Sequence, residues 1–362
     1  MRIIKLYCVV LLFLTANTVR AQKTASFADS VRRAHQIPEL CYAVVNMTET
    51  IEIAASGKHA IHLPDTASLN DRFHIGSNTK AMTAFMAAKY VELGKLKWST
   101  RFFDIFPEWE TNSKSAYASI TLQDLLSHRA GIPPLDGENE PVLPQFNGSA
   151  QEKRWQFGRY VLTLDAVKVD STMPFIYSNP GYTLASMMLE KVSKKSWEDL
   201  VEKIFNEDLK LNIQLSWPEN QLTKGTWGHF YENGKLNPIA STEGPMLEYT
   251  EPAGDLNIRL IDYIRFVQLN LQGLSGKSNY LKARTYNFLH RGVSNYAMGW
   301  YNIYDGDHEI SSHAGTVLTY YSIVHIDRKI KLAYIIFTNS FSEGTLEGVR
   351  LIMRRLKQNY GS

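Results

Sequence analysis

Ser77-Asn78-Thr79-Lys80 sets a hydroxyl and an amine three residues apart. On a helix, residues three apart share a face, so Lys80 would stand one turn from Ser77. A serine hydroxyl is a poor nucleophile until a base within hydrogen-bond reach takes its proton. A lysine can be that base when partial burial and cationic neighbours lower its pKa. A helix N-terminus adds backbone N–H groups for a developing oxyanion. The competing reading is a helix cap followed by a solvated lysine. No other serine in the chain has a lysine three residues on. Tyr177-Ser178-Asn179 is a second candidate, held between Pro174 and Pro180-Gly181 in a loop or at a helix entry. A tyrosine beside a cation can shuttle protons, and Asn179 can donate to a substrate carbonyl. Its competing reading is an ordinary turn tyrosine. Tyr231-Glu232-Asn233 repeats the pattern, but Asn233-Gly234 is a hairpin-turn signal, so that copy reads as surface. His313-Ala314-Gly315 is the third candidate. It precedes a strand pair and is placed at the start of the first strand, where Gly315 would let a substrate backbone lie close. His290-Arg291-Gly292 repeats it with nothing strand-like behind. The competing reading of His313 is a structural histidine.

Elements must bring these three segments together. Leu40 to Val45 and Ile51 to Ala55, joined by a polar turn, read as one hairpin. Tyr320 to Ile326 and Leu332 to Phe337 read as another, its second strand almost wholly apolar as in a central strand. A final helix is predicted from Glu343 to about Gln358. Met82, Phe85, Met86, Tyr90 and Leu93 mark one face of a helix stopped by Gly94. Leu184, Met187, Met188 and Val192 mark a second. Ile261, Ile264, Val267 and Leu271 mark a third, with Asn257 as cap and Gly273 as stop. Strands at both ends with helices between predict an α+β fold whose antiparallel sheet is made by both chain ends. The sheet lobe covers about 22–75 and 250–362, and a mainly helical lobe about 76–249 is inserted in a single catalytic domain, 22–362. The ligand cleft is expected at the lobe junction, bordered by the proline-rich loop from Gly131 to Gly148.

Composition narrows the class. The chain has 362 residues, 39 Lys plus Arg against 36 Asp plus Glu, and a net charge of +3. Arg2, Lys5 and Arg20 supply that excess, so the remainder is neutral and lacks a field for nucleic acid. With 44% hydrophobic residues the chain can bury a large core. Arg2 and Lys5, the apolar run Leu6 to Leu14 and Val19-Arg20-Ala21 have the layout of a secretory signal peptide at 1–21. That run is too short to span a bilayer, and no later segment is long enough for a membrane span. Cys8 lies inside the apolar run. Cys41 is then the single cysteine, read as a buried strand residue, and a disulfide-free exported chain fits a bacterial periplasm. No cofactor motif appears. The histidines are scattered and none pairs with another at metal-ligand spacing, so no metal is expected.

Five segments in order carry a resemblance: Phe73 to Lys80, Ile120 to Pro133, Phe175 to Tyr182, Glu251-Pro252-Ala253-Gly254 and His313-Ala314-Gly315. The chain resembles the serine β-lactamase and penicillin-binding-protein superfamily, in the branch of class C β-lactamases, D-Ala-D-Ala carboxypeptidases and related esterases. The class A branch would show Ser-Asp-Asn where Tyr177-Ser178-Asn179 stands. The resemblance implies that Ser77 is the acylated nucleophile and that Lys80 and Tyr177 share general-base and general-acid duty. It implies that Asn179 positions the substrate, with His313 and Gly315 beside it. It also implies that the backbone N–H groups of Ser77 and Thr316 form the oxyanion hole. His128 is read as structural.

The third motif departs from the family. Class C β-lactamases usually have Lys-Thr-Gly there, and carboxypeptidase-like relatives often His-Thr-Gly; Ala314 replaces the hydroxyl. Both changes weaken recognition of the free carboxylate that β-lactams and D-Ala-D-Ala peptides share. The expected activity is therefore a secreted serine hydrolase acting on an ester or amide, with a small molecule or peptide as substrate. The alternatives are a penicillin-binding sensor that acylates and stalls, a true β-lactamase, or an inactive scaffold.

Overall fold

The computed structural model describes residues 21–361 apart from 65, 136–141, 220–224 and 245–246. The expected signal peptide, save Ala21, and part of the loop from Gly131 to Gly148 lie outside the described residues. Twelve strands are described: β1 (Glu39–Val45), β2 (Thr50–Gly57), β3 (Arg72–His74), β4 (Ile213–Leu215), β5 (Gly228–Glu232), β6 (Lys235–Ile239), β7 (Leu256–Arg259), β8 (Tyr301–Asp305), β9 (His308–Thr316), β10 (Tyr321–Asp327), β11 (Leu332–Thr338) and β12 (Ser340–Phe341). The longer helices are α1 (residues 21–34), α2 (Thr79–Glu92), α3 (Ala150–Val161), α4 (Asn179–Ser193), α5 (Leu260–Leu274), α6 (Ala283–Arg291) and α7 (Glu343–Tyr360).

Every residue of β1 is buried. Strand side chains alternate between faces, so a strand apolar at both parities must be covered on both. Leu40, Tyr42 and Val44 join Tyr334 and Ile336 of β11 under Ala28 and Val31 of α1 and Val349, Ile352 and Leu356 of α7. Cys41, Ala43 and Val45 join Ile335 and Phe337 in the larger core with α2, α4 and α5. Six strands form the main antiparallel sheet in the order β2-β1-β11-β10-β9-β8. Leu40 pairs with Thr338 and Val45 with Ala333, so the two chain ends share this sheet, as the strand pattern predicts. Two small sheets, β3-β7-β4 and β12-β5-β6, complete the architecture. Burial raises the pKa of the free Cys41 thiol well above its usual value, consistent with a packing role.

Several local expectations are corrected. α2 is buried from Thr79 through Ala88, not along one face only. Its alanines and threonines are small enough for neighbours to approach on all sides. Asn257 does not cap α5, which starts after Arg259. It lies in β7, accepting from Arg72 Nε at 2.7 Å and donating to Ser216 O at 2.9 Å, so it ties three short strands. Gly273 does not stop α5 either. A Cβ there would stand 2.0 Å from Cδ2 of Tyr286, so its smallness lets α6 pack against α5. Finally, His313 lies near the end of β9, a strand of its own before the β10–β11 hairpin.

Candidate active site

Ser77 sits in a single 3₁₀ turn, Gly76–Asn78, that leads directly into α2. The turn is pinned from beneath. Asn78 Nδ2 donates to Ser322 Oγ at 2.7 Å, Ser322 Oγ donates to Ile75 O at 2.7 Å, and Tyr263 OH donates to Asn78 Oδ1 at 3.1 Å. His74, fully buried, accepts from Gly76 N at 3.1 Å through Nδ1 and contacts Asp255 Oδ1 at 3.0 Å through Nε2. An Nδ1 that accepts leaves the proton on Nε2, which donates to Asp255. Gly76 has φ +51°, in the left-handed region, where glycine is at ease.

The end of β9 lies against this turn. A Cβ on Gly76 would be 2.4 Å from Thr316 N, and one on Gly315 would be 2.0 Å from Ile75 O and 2.6 Å from Ser77 N. Gly315 thus makes room for the chain's own Ser77 turn rather than for a substrate backbone. The same approach sets the chain at Ser77 N and at Thr316 N side by side.

Lys80 is buried, and its Nζ bonds Ser77 Oγ at 3.1 Å, Asn179 Oδ1 at 2.7 Å and Ala253 O at 2.8 Å. The last two oxygens can only accept. A neutral amine giving both its N–H groups to them would turn its lone pair to Ser77, whose hydroxyl then donates. Such a geometry suits removal of the Ser77 proton. Nζ also lies 4.6 Å from the centroid of the Tyr177 ring. Asn179 spends its oxygen on Lys80, and its NH₂ remains the donor end.

The Tyr177 segment is held by two neighbours. Ser178 caps α4, its Oγ accepting from Gly181 N at 3.1 Å and donating to Pro133 O at 3.2 Å, which brings the loop after Gly131 to this edge. His128, in left-handed backbone at φ +61°, brackets Tyr177: its carbonyl accepts from Ile176 N at 2.8 Å and its Nδ1 from Ser178 N at 3.1 Å. Burial and the Lys80 charge push the His128 pKa well below the usual histidine value, so the ring is neutral and rests 4.3 Å from Tyr177.

His313 is buried and likewise held neutral, first by burial and then by Lys80, with its pKa pushed down to about 3. Its Nδ1 contacts Ala314 O at 2.8 Å, so Nδ1 carries the proton, and Nε2 accepts from Tyr296 OH at 3.0 Å. Tyr177, Tyr296 and Tyr301 surround it. Ser77, Tyr177, Asn179, Ala314 and Thr316 keep partial exposure while Lys80, His313 and Gly315 are buried. All seven sequence-predicted site residues therefore belong to segments that meet around Lys80 and the Ser77 turn.

The competing copies stand elsewhere. Tyr231 is exposed beside the β5–β6 turn at Asn233-Gly234. His290 is buried in α6, stacked on Trp300 at 4.4 Å and bonded to Asn270. Sequence reasoning missed Asn78, Ser322, Tyr263, His74 and Asp255, because partners more than 180 residues apart leave no local spacing to read. It also missed Glu39, His59 and Asp71, whose potential metal-ligand atoms lie within 4.8 Å of one another. His59 contacts Asp71 at 2.9 Å, and the group shares no residue with the Ser77 site. Among the described residues, no helix is long and apolar enough to cross a membrane.

A beta-lactamase family model matches residues 21–356. Penicillin-binding protein 4 of Amycolatopsis lactamdurans is 24% identical over 250 residues, covering 67% of this chain and 62% of that protein. Protein flp of Staphylococcus aureus (strain NCTC 8325 / PS 47) is 21% identical over 282 residues, covering 76% of this chain and 54% of that protein. The chain thus spans between half and two thirds of the length of these curated relatives. Among solved structures, the D-amino acid amidase from Ochrobactrum anthropi SV3 complexed with D-phenylalanine superposes with a TM-score of 0.74 at 19% identity, covering 94% of this chain and 99% of that one. The octameric penicillin-binding protein homologue from Pyrococcus abyssi gives a TM-score of 0.70 at 19% identity, covering 89% and 74%. The fold and the family match agree: the chain belongs to the beta-lactamase family, a family of serine hydrolases.

Proposed function

We propose that this chain is an exported hydrolase that forms an acyl-enzyme through Ser77 on esters or amides with no free carboxylate beside the scissile bond. The observation that carries the acyl-enzyme is Lys80 Nζ at 3.1 Å from Ser77 Oγ, with acceptor-only partners on its other side. In the reaction, Ser77 Oγ bonds the substrate carbonyl carbon and gives its proton to the Lys80–Tyr177 pair. The oxyanion is received by the N–H groups of Ser77 and Thr316. The bond to the leaving group breaks, and the leaving group takes that proton. Water then repeats the sequence on the acyl-enzyme and frees Ser77. Asn179 Nδ2 orients the substrate.

The substrate class is supported by what stands beside Ser77. His313 is neutral with both ring nitrogens engaged, and Ala314 offers no donor from its side chain. The notable arginines are committed elsewhere. Arg129 donates to the carbonyls of Ser127, Tyr296 and Ser294. Arg291 bonds Asn287 and lies 3.9 Å from Glu309, six residues before Gly315 on β9, roughly 20 Å along the strand. One protein of this fold is a D-amino acid amidase, and an amino acid amide has no carboxylate at its cleaved group. The layout of residues 1–21 supports export to a bacterial periplasm.

Hydrolysis of p-nitrophenyl acetate, D-phenylalanine amide, a D-Ala-D-Ala peptide and a penicillin tests this reading. Esters or neutral amides should have the highest kcat/KM. A charge-assisted hydrogen bond contributes about 1.5–3 kcal/mol, so lack of one lowers carboxylate binding roughly ten- to a hundredfold. Ala314→Thr should move the ratio toward the carboxylate substrates. Efficient penicillin or D-Ala-D-Ala cleavage by the wild type, with esters the poorer substrates, contradicts it.

A further inference from the structure

Arg154 of α3 is completely buried, a position that a guanidinium occupies only among acceptors. Its Nη2 donates to Glu190 Oε1 at 2.7 Å and Glu198 Oε2 at 3.0 Å, and its Nη1 to Glu198 Oε1 at 2.9 Å and Glu251 Oε2 at 3.1 Å. One cation against three carboxylates leaves negative charge in excess. Burial accordingly pushes Glu251 up to about 7. No step of the proposed reaction uses this cluster, yet it ends at the active site. Glu251 opens the short helix Glu251–Gly254, two residues before the carbonyl of Ala253 that accepts from Lys80.

A second tether reaches the same helix. Glu190 Oε1 also accepts from Trp197 N at 3.0 Å, Trp197 Nε1 donates to Thr83 Oγ1 at 3.1 Å, and Thr83 Oγ1 donates to Pro252 O at 2.8 Å. Thr83 lies one turn beyond Lys80 on α2. Two chains of hydrogen bonds therefore leave Glu190 and end on neighbouring residues of one turn, Glu251 and Pro252, immediately before Ala253.

We propose that the Arg154–Glu190–Glu198–Glu251 cluster and Thr83 are positioning residues that hold the carbonyl of Ala253 on Lys80 Nζ and thereby set the proton affinity of the base. The proposal rests on the Ser77–Lys80 reading above. A carbonyl that accepts from an ammonium favours the charged form. Releasing it lowers the lysine's proton affinity and loosens the amine against Ser77. The other titratable groups facing Lys80 include Tyr177, Tyr182, His128 and His313, and none of these is itself altered by a substitution at Thr83 or Glu251.

The test is the pH dependence of inactivation by a fluorophosphonate, resolved into maximal rate and inhibitor affinity. Thr83→Val should lower the maximal rate about tenfold, leave the affinity within about twofold, and move the acid limb of the rate toward lower pH by half a unit or more. Thr83→Ser, which keeps the hydroxyl, should restore both rate and limb. Should Thr83→Val fail to fold, Glu251→Ala carries the same expectation through the other tether. A wild-type limb in both variants overturns the proposal, and so does a lowered rate with an unmoved limb, which a merely structural role produces. Wild-type labelling on a residue other than Ser77 overturns instead the acyl-enzyme reading beneath it.

Discussion

At the scale of single residues, the proposed chemistry turns on Lys80. Removed from water and set among Ser77, Asn179 and Ala253, it can hand over or take a proton with little motion. Arginine in its place would keep the charge but not the basicity, because a guanidinium stays protonated. Lys80→Arg should therefore cut kcat/KM for an activated ester by roughly a thousandfold or more. A variant within tenfold of wild type shows Lys80 to be a structural cation only. The spacing of Ser77 and Lys80 made this pair legible in the sequence, since three residues on a helix fix their relative position. Gly315 was legible as a close approach, but the approaching group was not. Only the folded chain shows that Ile75 O lies where its side chain would be.

At the scale of elements, the short helix Glu251–Gly254 joins a buried charge cluster to α2. The three carboxylates around Arg154 come from positions 190, 198 and 251, and nothing in their spacing predicts that they meet. Glu251 gives the cluster a pH signature. Its pKa stands at about 7 in the fold against an ordinary 4.5. A raised carboxylate pKa means that the fold prefers the protonated form. The associated stability is fully present below about 4.5 and is lost as pH rises through about 7. The difference is worth about 3 kcal/mol. Glu251→Gln keeps an acceptor for Arg154 but removes the titration. Urea unfolding at several pH values should show the variant gaining on the wild type between pH 5 and 8, by about 1–3 kcal/mol at pH 8. An unchanged difference across that range contradicts the raised Glu251. Asn257 misled as a helix cap because in β7 its amide serves two short neighbouring strands, and three-residue strands leave no alternation to read.

At the scale of the whole molecule, the sheet made by both chain ends is what allows Ser77, Tyr177 and His313 to converge. That sheet was legible because β1 and β11 are apolar at both parities, which only a strand covered on both faces can be. α2, α4 and α5 were legible through their periodic apolar faces, though not the burial of α2 on all sides, whereas α1, α3 and α6 were not read. The convergence itself came from the order of the motifs along the chain rather than from any local pattern. The proposed chemistry requires Ser77 to be the one acylated residue. Intact-protein mass spectrometry after treatment with a fluorophosphonate tests it most directly. The wild type should gain one adduct, mapped by peptide digestion to Ser77, and Ser77→Ala should gain none. An adduct at another residue, or one that persists in Ser77→Ala, contradicts the account.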